Sequence, residues 1–330
     1  MGVLVVAAGL FADHLWMPQG SHTSAVSIAG PPASPSAWQA SASSTVTASP
    51  SPSQPPSPGV GLRSLNFPIR AAFYYPWFPE AWRQQGMDPF THYSPALGYY
   101  DTSRTNVQHQ VQAMQYAGIR AGIASWWGQQ STTDGRIAML LQVATTTGFE
   151  WGLYYELEGQ SDPSVSVIAS DLAYIRDRYT GQPGYLHVLD RPVLFVYGDG
   201  NDGCGMAQRW KQANTFGFYV VLKVFPGYRA CANQPDGWHQ YAPANAQDSQ
   251  AGFSFTISPG FWKATESGAR LARDPSRWTM SIHDMVASRA QWQLVTTFNE
   301  WGEGTAVEDA SQWQSSSGFG TYLDALHDVT

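Results

Sequence analysis

Eight short apolar segments alternating with helix-like stretches predict a (β/α)8 TIM barrel, a single catalytic-sized domain over residues 63–330. The segments recur at 71–77, 119–127, 150–156, 193–197, 218–225, 238–242, 253–258 and 293–298. They are rich in aromatic and β-branched residues, as strands are. Stretches of helical character lie between them at 105–117, 135–147, 164–179, 205–214, 275–289 and 320–329. An open α/β sheet is the alternative arrangement of the same elements.

Four of the helical stretches carry a local signal. Asp101 and Ser103 stand where they would cap 105–117, and Asp134 stands ahead of 135–147. Val167, Ile168, Leu172 and Ile175 recur at helical spacing within 164–179. Asp274 followed by Pro275 opens 275–289, since proline suits a first helical position. The sixth and seventh strands have little helix between them and are the least regular part of the pattern.

The N-terminal part reads differently. Residues 1–30 resemble an export signal, with the ten-residue apolar run GVLVVAAGLF too short to cross a bilayer. Residues 31–62 are a Ser/Pro-rich linker. From Pro31 to Gly59, 17 of 29 residues are Pro or Ser and none is Asp, Glu, Lys or Arg, so no core can form there. A signal followed by such a stalk implies a secreted or surface-tethered protein.

Composition excludes several classes. With 43% hydrophobic and 13% charged residues the chain can bury a large core. Net charge of −7 and three lysines, Lys211, Lys223 and Lys263, leave no basic patch for nucleic acid. No Gly-rich phosphate loop follows the first strand, so no nucleotide cofactor is expected. His239, His283 and His327 lack ligand spacing, and the two cysteines lack the gap of a zinc site, so no metal is expected either. No nucleophile elbow is present. Cys204 and Cys231 follow the fourth and fifth strands, which places them on adjacent loops of one face; they are either a disulfide or two buried thiols. Fourteen Trp and sixteen Tyr exceed what a core requires and incline the reading toward carbohydrate, whose C–H faces stack on aromatic rings.

In a barrel, function gathers at the C-terminal ends of the strands. Those ends carry Tyr74, Tyr75 and Trp77, then Trp126 and Trp127, then Tyr155 and Glu156, then His239 and Tyr241. The last strand runs into TTFNEWGEGT at 296–305, where Asn299, Glu300, Trp301 and Glu303 crowd between glycines. A solvated polar turn is the plainer reading of two glutamates; the flanking Trp, Asn and Gly weigh toward an active-site loop. Two carboxyl groups three residues apart beside an apolar ring should have their pKa values driven apart, which acid–base chemistry needs.

Three blocks make the sequence resemble glycoside hydrolase family 99 and its relatives, whose type activity is endo-α-mannosidase. They are AAFYYPWF at 71–78, GYYDTSRTNVQHQVQAMQYAGIRAGIASWWG at 98–128 and TTFNEWGEGTAVE at 296–308; GLYYELEG at 152–159 resembles the third-strand segment. The resemblance implies a (β/α)8 barrel that hydrolyses an α-linked glycan with retention. It implies that Glu303 is the general acid/base and that Glu300 deprotonates the substrate's own 2-hydroxyl, which attacks the anomeric carbon to give a 1,2-anhydro sugar. That is an exception to the scheme in which a second carboxylate is the nucleophile. It further implies that Tyr74, Tyr75, Trp126 and Trp127 line the cleft and that Glu156 and Asn299 bond sugar hydroxyls. The family often has His where this chain has Gly302, and the third-strand block lacks the family's His and Pro. The readings of another class are a carbohydrate-binding barrel without turnover and a glycan-transferring envelope-assembly enzyme.

Overall fold

The computed structural model describes residues 61–329. The signal-like segment 1–30 and all but the last two residues of the linker 31–62 lie outside the described residues. Eight parallel strands make the barrel: β1 (Ile69–Tyr74), β2 (Ala121–Trp126), β3 (Glu150–Tyr155), β4 (Arg191–Val196), β5 (Tyr219–Lys223), β6 (Gly237–His239), β7 (Ser254–Ile257) and β8 (Trp292–Val295). Their order in the sheet is β6-β5-β4-β3-β2-β1-β8-β7. The first strand pairs with the last, Ala71 opposite Leu294 and Ala72 opposite Val295, and the edge strands β6 and β7 come together, so the sheet curls round instead of lying open.

The barrel is nearly closed rather than closed. No ladder joins β6 to β7; instead Thr256 Oγ1 donates to the Gln240 carbonyl at 2.6 Å across the seam. A short strand, Gln247–Gln250, pairs antiparallel with β7 on that same side and covers its edge.

Beyond the single turn Glu158–Ser161, six helices follow the strands: α1 (Arg104–Tyr116), α2 (Thr132–Thr147), α3 (Val165–Ile175), α4 (Cys204–Ala213), α5 (Pro275–Ser288) and α6 (Thr321–His327). After β5 there is only the turn Tyr228–Ala230, and after β6 only the hairpin. Pro226, Gly227, Pro235, Pro243 and Gly252 punctuate this region too densely for a helix. The caps also differ in part from the sequence reading. Asp274 caps α5 by accepting from the N–H of Ser276 and Arg277. α2 begins earlier than expected, with Ser131 as its cap; Asp134 lies in the first turn, where its carboxylate accepts from Trp126 Nε1 at 2.7 Å and Tyr179 Oη at 2.7 Å. Ser103 precedes α1 without a side-chain cap bond. Cys204 and Cys231 form a disulfide, Cα–Cα 5.3 Å, tying the start of α4 to the loop after β5.

Residues along a strand point alternately in and out. Phe73 of β1 points in and packs against Tyr154 of β3 at 4.8 Å, His239 of β6 at 5.7 Å and Tyr241 at 5.2 Å. Below them Trp292 meets Phe195 at 4.9 Å and Phe67 at 5.2 Å, filling the lower barrel. On the outer face Trp151 reaches over β2 to Tyr74, ring centroids 4.7 Å apart. Gly122 on β2 is what lets it pass, because a Cβ there would stand 2.0 Å from the Trp151 ring. Gly122→Ala is expected to destabilise the fold by roughly 1–3 kcal/mol through overpacking. Chemical denaturation should show it, and an unchanged midpoint would mean that Trp151 relocates freely.

Candidate active site

The loop after β8 is fixed by its own backbone before any side chain reaches the barrel mouth. Thr297 N–H donates to the Thr305 carbonyl at 3.1 Å, and Glu300 N–H to Thr297 Oγ1 at 2.8 Å. Asn299 extends the β1–β8 pairing with its side chain: its oxygen accepts from Tyr75 N–H at 2.8 Å and its Nδ2 donates to the Tyr75 carbonyl at 3.0 Å. On the other side Trp262 N–H and Ala264 N–H donate to the carbonyls of Glu303 and Gly302, each at 2.8 Å. Arg273 holds the loop from outside, its Nη2 donating to the carbonyls of Gly304 and Ala306.

Beneath the loop lies a buried polar hub. Glu308 accepts from Tyr100 Oη at 2.5 Å, Gln110 Nε2 at 2.8 Å and Trp301 Nε1 at 3.2 Å. Tyr74 Oη joins it through Gln110 Oε1 at 2.6 Å. Burial pushes the Glu308 carboxyl up to about 7 despite these donors.

Three carboxyl groups converge at the mouth: Glu156 from the end of β3, and Glu300 and Glu303 from the loop. Glu303 N–H donates to Glu300 Oε1 at 3.3 Å, and Tyr241 Oη donates to Glu303 Oε2 at 3.0 Å. Burial, then the nearby Glu303 charge, holds Glu300 well above the ordinary carboxyl value. Burial likewise raises Glu156 to about 8, opposed by a hydrogen bond from Ser125 and by Lys223. Tyr75, Tyr154, Tyr197 and Tyr241 surround the carboxyls; burial first, then the charge of Glu156 for Tyr75 and Tyr154 and of Glu303 for Tyr197 and Tyr241, raises each above the usual phenol range. Lys223, at the end of β5, donates to the Gly198 carbonyl and lies over the Tyr197 ring at 4.5 Å; burial lowers it to about 8.

The residues named from the sequence divide into two sets. Tyr75, Trp77, Trp127, Glu156, Tyr241, Glu300 and Glu303 gather at the mouth. Trp77 is held by Ser125 Oγ at 3.1 Å and meets Tyr75 edge-on at 4.5 Å, and Trp127 lies 6.4 Å from Trp77. Glu156 Oε1 and Trp127 Nε1 are buried and make no hydrogen bond among the described residues, which leaves an acceptor and a donor for a polar ligand.

The others lie elsewhere. Tyr74 points out toward α1, Trp126 bonds Asp134 of α2, and Tyr155 Oη donates to Asp171 of α3 at 2.8 Å. In each aromatic pair the neighbour takes the inward position, so these three pack under helices and do not line the cleft. Asn299 is engaged with the Tyr75 backbone rather than facing a ligand, and Trp301 is buried under the loop on Tyr100 and Trp313. His239 sits one layer below the mouth, its Nε2 3.1 Å from Tyr154 Oη; burial and Lys223 lower it to about 3, so it is neutral. Tyr154, Tyr197 and Lys223 also reach the mouth; Tyr154 and Tyr197 stand at the same strand ends in the sequence, but none of the three is among its candidate site residues. Strand alternation alone would have selected Tyr154 over Tyr155.

One further acidic group, Glu158, Asp162 and Asp202, has ligand atoms within 4.8 Å of one another. Arg209 already bonds Glu158 and Asp162, so the cluster has its cation in the protein itself.

No protein-family model and no curated protein matches the sequence. Solved structures do. The chain is similar to a GH99 endo-alpha-mannosidase from Bacteroides thetaiotaomicron in complex with bis-tris-propane: 18% identity, TM-score 0.64, covering 80% of this chain and 97% of that one. A second structure of a GH99 endo-alpha-mannosidase from the same organism gives 17% identity and a TM-score of 0.61, covering 80% and 96%. The likeness shows the fold.

The ionisation of the mouth has a consequence for stability. In the unfolded chain Glu156 titrates near 4.5 and His239 near 6.5. Below pH 6.5 the two act oppositely, because a carboxyl raised by burial favours acid and a histidine lowered by burial disfavours it. Above pH 6.5 the histidine is neutral in both states. The folded protein then binds more protons than the unfolded chain until Glu156 ionises near 8, so stability falls as pH rises. The loss from Glu156 between pH 6.5 and 8 is on the order of 2 kcal/mol. Thermal unfolding across this window should show the decline, and Glu156→Gln should make it shallower, leaving the share of the other raised carboxyls, Glu300 and Glu308. A transition temperature that rises over the same window would contradict the assignment.

Proposed function

We propose that the protein is a glycoside hydrolase acting on an α-linked glycan, with a mannose-containing polysaccharide as the first substrate to test, and with retention of configuration. The observation that carries this reading is the meeting of Glu300 and Glu303 at the mouth, ringed by tyrosines and walled by Trp77 and Trp127. The family 99-like blocks and the likeness in fold support it. The rings offer stacking surface to sugar C–H faces, and the hydroxyls offer neutral hydrogen-bond donors.

In this reading Glu303 protonates the departing glycosidic oxygen. Tyr241, donating to Glu303 Oε2, leaves Oε1 for the proton in flight. Glu300 removes the proton of the sugar 2-hydroxyl, whose oxygen closes on the anomeric carbon as the glycosidic bond breaks. Water then opens the 1,2-anhydro ring, with Glu303 taking the water's proton and Glu300 returning one to the 2-oxygen. Two displacements at one carbon give retention. Glu300 begins with its ionised form disfavoured by burial and by Glu303; a 2-hydroxyl donating to it favours the charged form, so substrate binding itself prepares the base.

We also propose export. The apolar start of the chain, the uncharged Ser/Pro segment and the Cys204–Cys231 bond support it. Expressed from the full sequence, the chain should be recovered outside the cytoplasm with no titratable thiol; recovery from the cytoplasm with two thiols would refute this.

Glu303→Gln should lower kcat on unactivated glycans by about 10²–10⁴-fold while sparing substrates with an acidic leaving group. Glu300→Gln should slow both kinds. A 2-fluoro sugar should remain inert with the unmodified enzyme. A covalent 2-fluoroglycosyl adduct on Glu300, seen by mass spectrometry, would make Glu300 an ordinary nucleophile. Binding without product over a glycan panel would leave a carbohydrate-binding barrel.

A further inference from the structure

Gly302 stands between the two loop glutamates, and its backbone does not require glycine, since its φ is not positive. Space requires it. A Cβ at residue 302 would lie 2.8 Å from both Cδ1 and Cε1 of Phe90 and 3.1 Å from Glu300 Oε1. The phenyl ring and the carboxyl oxygen therefore border one small volume, and the ring holds the place where a residue-302 side chain would begin.

Phe90 comes from the long connection between β1 and α1, and the protein fixes it firmly. Its N–H donates to the Trp82 carbonyl at 2.8 Å. Trp82 is held by Nε1 to the Tyr100 carbonyl at 2.7 Å and by the Phe78 ring at 4.2 Å. Tyr100 is one of the donors to Glu308 under the catalytic loop. The network that positions Glu300 from below thus also positions the ring beside it. The groups facing Glu300 from the other elements are Glu156 after β3, Tyr75 after β1, Tyr241 after β6 and Glu303 in its own loop, with N–H donors from Gly302 and Glu303. The β1–α1 connection contributes an apolar edge there, since its His92 is stacked on Trp262 at 3.9 Å and bonded to the Lys263 carbonyl.

We propose that Phe90 is the positioning residue for Glu300: its ring fills the volume of the missing residue-302 side chain, walls that side of the carboxyl from water and fixes its direction toward the barrel mouth. The proposal rests on Glu300 acting on the sugar as described above. An apolar wall disfavours the charged carboxyl until a ligand hydroxyl replaces water, which couples the readiness of the base to occupancy of the site.

Two measurements without substrate test it. The first is a stability cycle of Gly302→Ala and Phe90→Ala. Gly302→Ala alone should lower the unfolding temperature by several degrees, and in the Phe90→Ala background it should cost much less. Additive losses would overturn the shared volume. The second compares Glu300 with Glu300→Gln by thermal unfolding across pH, in the Phe90 and Phe90→Ala backgrounds. Opening the wall should move the pH at which Glu300 ionises down by about one unit, and Phe90→Leu, which keeps the apolar cover, should hold it near the original value. An unmoved ionisation would overturn the proposal. In an active enzyme the acid limb of kcat/KM should move with it. Failure of both substrate-free measurements leaves the hydrolase reading standing, whereas failure of glycan turnover, read separately, removes that reading.

Discussion

The bond pair between the Asn299 amide and the Tyr75 backbone is the point on which the site turns. The ladder between β1 and β8 ends at Val295, and the chain then leaves strand geometry to form the loop that carries Glu300 and Glu303. Asn299 continues the pairing with a side chain that presents the same acceptor and donor as a peptide group. The tip of the first strand and the root of the loop are thereby tied together where the first strand meets the last. The Trp262 and Ala264 N–H groups and Arg273 hold the far side of the loop, so Asn299 supplies the tie on the β1 side.

The second constraint is burial. Glu156, Glu300 and Glu308 all sit on one end of the barrel with little access to water, and a charge there is costly unless donors surround it. Glu308 has three donors and serves as scaffolding. Glu156 and Glu300 have fewer and keep their protons longer. That contrast separates a carboxyl that holds the loop from carboxyls whose proton is free to move. The three blocks of sequence resemblance meet in one buried network, since Tyr74, Tyr100, Gln110, Trp301 and Glu308 come from all of them.

The barrel is legible in the sequence because strand and helix periods are strong and regular through α4 and again from α5 to the end. It is less legible between β5 and β7, where proline and glycine break the pattern and a hairpin replaces the crossover helices. The position of the site along the strands is legible too, since aromatic and acidic residues recur at the same ends. What a linear reading blurs is direction. Tyr74-Tyr75, Trp126-Trp127 and Tyr154-Tyr155 each supply one ring to the mouth and one to the helices, and the two members of a pair are chemically alike. Asn299 and Trp301 mislead for another reason: in a loop the period of two is lost, and polar character does not tell a backbone-mimicking amide from a ligand-binding one. Phe90 and Lys223 have no local signal at all, because only the closure of the barrel brings them to the glutamates.

The make-up of the mouth suits the proposed roles of its carboxyls. An arginine beside Glu300 would stabilise the anion and pull its pKa down, which would weaken it as a base. The groups found there are phenol hydroxyls and aromatic walls instead. A phenol donates a hydrogen bond without adding a net charge, so Tyr241 directs Glu303 without bringing a cation to it. Lys223 brings a positive charge close to Glu156, yet it is bonded to Gly198 and lowered to about 8, and Glu156 nevertheless remains raised. In the proposed reaction, neutral donors around crowded, poorly hydrated carboxyls leave an incoming hydroxyl, rather than a fixed cation, to shift the proton between the two loop glutamates.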